Sequence, residues 1–142
     1  VGAMHQTLHV GALTVIETFA DRTPYGAVLE DDGEVAYFYG IDTRRGDRAV
    51  VDSLYLYCVS DLEQHPRDDL KIEVPCDIEI VWSADQERVA LLMNGRAEAV
   101  FDFAAKRAFC RSNFPPASGW SPEGHAWDDH AADFLEGALR ED

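Results

Sequence analysis

The sequence predicts a single α+β domain over residues 1–142: a strongly twisted antiparallel sheet of about six to eight strands, arranged as hairpins and a meander, with a C-terminal helix. Three observations carry that prediction. Runs rich in Val, Ile, Tyr and Phe recur between polar turn signals. Asn94-Gly95 sits between two such runs, the strongest two-residue hairpin signal in the chain. Trp127, His130, Ala131, Phe134, Leu135, Ala138 and Leu139 recur at helical spacing near the end.

Leu13 to Phe19 reads as the first strand, and Asp21 to Pro24 breaks it. Tyr25 to Glu30 and Glu34 to Ile41 flank Asp31-Asp32-Gly33, where glycine supplies the positive φ of a tight connection. Thr43 to Arg48 is a polar loop, and Val50 to Ser60 a long strand. Asp61 to Asp69 reads as loop or one turn of helix, and Leu70 to Pro75 as a short strand. Asp77 to Ser83, Arg88 to Met93, Arg96 to Phe103 and Ala108 to Phe114 complete the meander. If the Asn94-Gly95 turn fixes the register, Met93 opposes Arg96, Leu91 opposes Glu98 and Ala90 opposes Ala99, and across the next turn Phe101 opposes Cys110. Both faces of that sheet then carry apolar residues, so both need cover, as in a two-layer sandwich or rolled sheet. Residues 115–125 form an irregular loop carrying Trp120. Residues 1–10 are expected to be disordered in part, with Met4 as the natural start and Val1 to Ala3 left over from expression.

Charge is the unusual number in the composition. The 142 residues include 27 Asp and Glu against 12 Lys and Arg, a net of -15. A field of that sign repels phosphate backbones and anionic bilayers, which argues against nucleic-acid and membrane partners. It leaves room for a cationic partner, a metal or a basic protein surface, with solubility the preferred reading of the charge itself. The chain has no apolar run of about 18 residues and no basic start followed by a long apolar region. Cys58, Cys76 and Cys110 are odd in number and lack Cys-x-x-Cys spacing, as expected of reduced thiols in a cytoplasm.

The candidate chemistry is weighed residue by residue. Glu30, Asp31, Asp32 and Glu34 cluster without the ligand alternation of a calcium loop, so a solvated turn is preferred to a cation site. His125 and Asp129 would lie one turn apart on the last helix, but no further metal ligand is placed beside them. His130 falls on the apolar stripe, as a packed core histidine would. Cys110 beside Arg111 invites a nucleophile reading, but the register puts the thiol on an apolar face and turns the arginine toward Glu98 and Asp102. No catalytic residue, metal site or cofactor is therefore predicted. Tyr37, Tyr39, Tyr55 and Tyr57 lie two apart on neighbouring strands; a wall of rings could line a pocket or an interface, but core is preferred because tyrosine is common in strands.

Two blocks carry a family resemblance. Tyr25 to Tyr39, with its Asp-Asp-Gly turn, and Ala99 to Pro115, with its Cys-Arg-Ser-Asn-Phe-Pro run, resemble a bacterial family known as domain of unknown function 2251. Ala36 and Ala108 stand where glycine is expected in relatives. The resemblance implies a bacterial origin and brings no catalytic residues to carry over.

The leading expectation is a non-enzymatic binding or protein-interaction domain, of which an immunity-like protein facing a basic effector is one version. The alternative is a small-ligand protein or enzyme with a pocket between the sheet and the Trp120 loop, lined by Asp52, Tyr55, Tyr57 and Trp120. A homodimer that buries a spare sheet face is the third.

Overall fold

The computed structural model describes residues 3–64 and 76–136. Nine strands among them form two antiparallel sheets rather than one. The first sheet has the order β1 (Ala3–Leu8), β6 (Cys76–Trp82), β7 (Arg88–Met93), β8 (Arg96–Asp102), β9 (Arg107–Cys110). The second is a meander of β2 (Thr14–Phe19), β3 (Tyr25–Asp31), β4 (Val35–Asp42) and β5 (Val50–Cys58). Residues 1–10, expected to lack structure in part, include β1, which pairs along β6 from Ala3–Val81 to Leu8–Cys76. The predicted strand at Leu70 to Pro75 lies outside the described residues. The long strand from Val50 stops at Cys58, and Val59–Gln64 forms helix α1 instead of continuing it.

The two sheets pack face to face. Ile16, Leu29, Phe38 and Leu54 from one meet Leu8, Ile78, Ile80, Leu91 and Phe101 from the other in a single core, all nearly free of solvent contact. Burying each such side chain contributes about 1.5–3 kcal/mol. Phe101 lies on Gly40, where an added Cβ would stand 2.9 Å from the ring, so glycine at that position allows the close approach. Ala36 and Ala108, the two positions that depart from the expected glycine, are both fully buried and small enough for this spacing.

The predicted register fails at one residue, and the failure has a physical cause. Met93 does oppose Arg96, but Leu92 pairs with Ala97 and Leu91 with Ala99, leaving Glu98 as an extra residue. This β-bulge shifts everything beyond it. Ala90 opposes Val100 and Val89 opposes Phe101, so Phe101 joins Val89, Leu91 and Met93 in the core. Ala90, Leu92 and Val100 turn to the other face. The next turn slips by two positions, with Phe101 opposite Ala108 and Ala99 opposite Cys110; an even slip keeps Cys110 facing the core.

The outer face of the five-stranded sheet is covered by the C-terminal segment. Val81, Ala90, Leu92, Val100 and Phe109 pack with Leu135, flanked by Trp127, Ala131 and Phe134. The predicted helix is short within the described residues: a 3-10 turn over Asp129–Ala132, capped by Asp128, then helical residues 134–136. Trp127 precedes it. His130, expected in the core, is exposed and pairs with Asp133 at 3.1 Å. A 3-10 turn rotates successive residues by more than an α-helix does, which swings His130 off the apolar stripe.

Candidate functional site

The four-stranded sheet has one face in the core and the other carrying rings. On its outer face, register aligns Val15, Glu30, Tyr37 and Tyr55 in one row across the strands, and Glu17, Val28, Tyr39 and Ser53 in the next. Tyr37 stacks with Tyr39 at 6.0 Å between centroids and meets Tyr55 edge-on at 5.8 Å. Phe114, arriving from beyond β9, sets its ring edge-on to Tyr55 at 5.8 Å. It is held there because Tyr55 N–H donates to Phe114 C=O and Ser112 Oγ–H donates to Tyr55 C=O. Val15, Phe19 and Phe114 are each more than half exposed. Tyr39 O–H donates to Glu30, and partial burial together with that carboxylate pushes its phenol up to about 12. Partial burial also raises the Tyr55 phenol. Both rings therefore stay neutral donors at ordinary pH.

Tyr57 does not belong to that wall. Between Ala36 and Tyr37 the partner jumps from Tyr57 to Tyr55, so Leu56 is a bulge residue and Tyr57 points inward. Its hydroxyl donates to Asp31 Oδ2 at 2.6 Å. Asp31, also fully buried, further accepts Gly11 N–H at 2.7 Å and Gly33 N–H at 2.8 Å. Burial, then the Asp31 carboxylate, raises the Tyr57 phenol well above its ordinary range. Asp32 closes the same hairpin from outside by accepting the N–H groups of Glu34 and Val35. Asp31 and Asp32 thus have their carboxylates engaged in closing the turn, and Glu30 accepts the Tyr39 hydroxyl.

Asp52 points inward from β5 and meets the 115–125 loop. Its Oδ2 accepts Ser118 Oγ–H at 2.9 Å and lies 2.8 Å from His125 Nε2, and its Oδ1 accepts Ser53 N–H. His125 has no solvent contact. It is not on the last helix, where its spacing to Asp129 suggested it would be. Its Nδ1 lies against Pro115 C=O, which can only accept, so Nδ1 carries a hydrogen. The order is serine–carboxylate–imidazole, with the carboxylate in the middle. A hydrolase triad needs the imidazole between the other two, to take the hydroxyl proton. Here no ring nitrogen reaches Ser118, and the group acts as a buckle that fastens the loop to β5. The backbone adds to it: Cys110 N–H donates to His125 C=O and His125 N–H to Pro116 C=O.

Two cavities flank this region. One of about 650 Å³ is lined by Asp42, Arg44, Arg45, Val51, Lys106, Ser118, Gly119 and Trp120. The other, of about 400 Å³, is lined by Tyr55, Leu56, Tyr57, Cys58, Asp61, Leu62, Arg96, Arg111 and Ser112. Tyr55 and Tyr57 therefore line a different hollow from Trp120, and Asp52 lies beneath the first, behind Ser118. Arg111 stacks over Trp127 at 4.3 Å, and its Nε–H donates to Ala97 C=O. Sequence reasoning missed Ser118 and His125 as partners of Asp52, since 73 residues separate the histidine from the aspartate. It also missed Arg44, Arg45 and Lys106, although two adjacent arginines in so acidic a chain are a visible signal.

Comparison with known proteins places the chain in a lineage. The model of a family described as an uncharacterized protein conserved in bacteria (DUF2251) matches residues 8–136. The chain belongs to this family. It is also similar to an uncharacterized protein of Haemophilus influenzae, with 35% identity over 102 residues, covering 72% of this chain and 55% of the relative. The chain thus matches about half the length of that relative. No solved structure matches it. Among the described residues, no helix is long and apolar enough to cross a membrane.

Proposed function

We propose that this family member is a non-enzymatic protein-interaction domain that presents the outer face of its four-stranded sheet to a basic protein surface. One observation carries the reading. The five-stranded sheet has its outer face covered by the C-terminal segment, whereas the four-stranded sheet leaves Val15, Phe19, Tyr37, Tyr39 and Tyr55 facing outward. Tyr-rich, half-buried surfaces of this kind are enriched at protein interfaces. The charged side chains in the two central rows are Glu17 and Glu30, both acidic. Arginine is the complementary group: it stacks on tyrosine rings and forks onto carboxylates. The net charge of -15 speeds encounter with such a partner. Masking a basic effector, as an immunity protein does, is one use of this face.

Native mass spectrometry of the protein recovered from its own bacterium tests the reading. The expected result is a stoichiometric complex with a protein of basic isoelectric point. Tyr37→Ala combined with Tyr55→Ala should abolish the complex while the circular dichroism spectrum stays unchanged, and added salt should slow its formation. A bare monomer, a homodimer closed across this face, or a complex indifferent to the double substitution would overturn it.

A further inference from the structure

We infer that the cavity between β5 and the Trp120 loop binds a small organic anion, its oxyanion held by Arg45 and Lys106 and a planar ring lying against Trp120. This site is separate from the tyrosine face and does not depend on it. The volume of about 650 Å³ falls within the range of small-molecule sites, roughly 300–1,000 Å³. Its charge is inverted relative to the molecule. Three of the chain's 12 basic residues line it, Arg44, Arg45 and Lys106, against one acid, Asp42. Asp42 accepts from Arg44 Nε at 3.0 Å and Nη2 at 2.8 Å, which holds its carboxyl below the ordinary range and fixes the guanidinium in place. The Arg44 guanidinium also lies 5.6 Å over the Tyr25 ring. Asp42 thereby engages Arg44, which leaves Arg45 and Lys106 as the lining cations available to an incoming anion.

Two backbone features point the same way. Lys106 sits at φ 54° in its hairpin turn, the left-handed region that glycine or asparagine fills most readily. A lysine there serves the cavity better than it serves the turn. Gly119, which lines the hollow, lies outside the left-handed region, and a Cβ built on it would meet no heavy atom within 4 Å, so a side chain there has open space. Trp120 is fixed edge-on against Phe101 at 6.1 Å and Phe103 at 5.9 Å, which presents a rigid ring at the cavity wall. A rigid ring, clustered cations and open space at Gly119 together suit a ring-bearing phosphate or carboxylate.

Adenosine monophosphate, phthalate, inorganic phosphate and adenosine are the probes, read by chemical-shift changes at the Trp120 indole N–H and the Gly119 amide of the full chain. The expected result is saturable binding of adenosine monophosphate or phthalate in the millimolar range, with inorganic phosphate and adenosine each weaker. Gly119→Glu, which fills the opening with negative charge, and Lys106→Gly, which relieves the left-handed turn, should each weaken that binding about tenfold or more. Lys106→Gly should melt no lower than the wild type, which separates lost binding from lost folding. The inference falls if neither ring-bearing anion shifts these signals, if adenosine binds as well as its phosphate, or if binding survives both substitutions.

Discussion

Asp31 and Tyr57 show how much one extra residue in a strand can decide. Alternation along β5 would put Tyr57 on the same face as Tyr55, but the bulge at Leu56 turns it into the core, where its hydroxyl finds a buried carboxylate. Asp31 then has three donors, two from the backbone at Gly11 and Gly33 and one from the phenol. This ties the β1–β2 connection, the β3–β4 hairpin and β5 to one charge. Tyr57→Phe keeps the ring and deletes one charge-assisted bond. Bonds to ionised groups contribute about 1.5–3 kcal/mol, so urea unfolding should lose that amount with an unchanged slope. A loss below about 0.5 kcal/mol would mean that the two backbone donors alone satisfy the carboxylate. The neighbouring Asp32 is the contrasting case, since it is exposed and closes only its own turn. In sequence the two aspartates look alike, and only burial separates them.

Elements show the same division between local and distant causes. Eight of the nine strands described, all but β1, were visible as β-branched and aromatic runs because turn chemistry is local: Asn94 at φ 52° and Gly95 at φ 81° make the tight hairpin their types favour. A two-layer sandwich was one reading of the apolar residues on both faces, but which strand joins which sheet was not visible, since β1 crosses to β6 over about half of the chain. Neither was the Glu98 bulge: the extra residue changes the phase of alternation within β8 between Ala97 and Ala99, two small residues that signal no preferred face, while β7 keeps its alternation. Of the candidate sites, the tyrosine rows were legible from their spacing, whereas the Asp52–His125 buckle joins positions with no shared periodicity. That buckle makes a prediction about the 115–125 loop as a unit. His125→Ala leaves Asp52 buried and without its main partner, a change that typically costs about 3–5 kcal/mol. Asp52→Asn retains a polar partner for His125 and Ser118 and should cost less. Hydrogen exchange should show Cys110 N–H, which donates to His125 C=O, losing protection in the alanine variant while the β3–β4 amides hold. Equal loss everywhere would mean that the buckle supports the whole sandwich and not the loop.

At the scale of the whole molecule the dominant quantity is charge. Twenty-seven acids and 12 bases on 142 residues repel one another more in the folded sandwich than in the expanded chain, so self-repulsion opposes compaction. The few local pairs do not offset this, because exposed pairs such as Arg22–Asp21 and His5–Asp77 contribute little. Screening should then stabilise the fold. Between about 10 mM and 150 mM monovalent salt the Debye length shrinks from roughly 30 Å to 8 Å, shorter than the distance across the domain. The melting temperature should rise by a few degrees over that interval, about 1 kcal/mol for a domain of this size. Sodium chloride and tetramethylammonium chloride should act equally if screening is the cause. A rise with sodium alone would identify a specific cation site, and a flat or falling curve would mean that the acids are already compensated in the folded state. Under the proposed docking of a basic protein at the tyrosine face, the same screening should slow encounter, so the conditions that stabilise the free protein would be those of slower association.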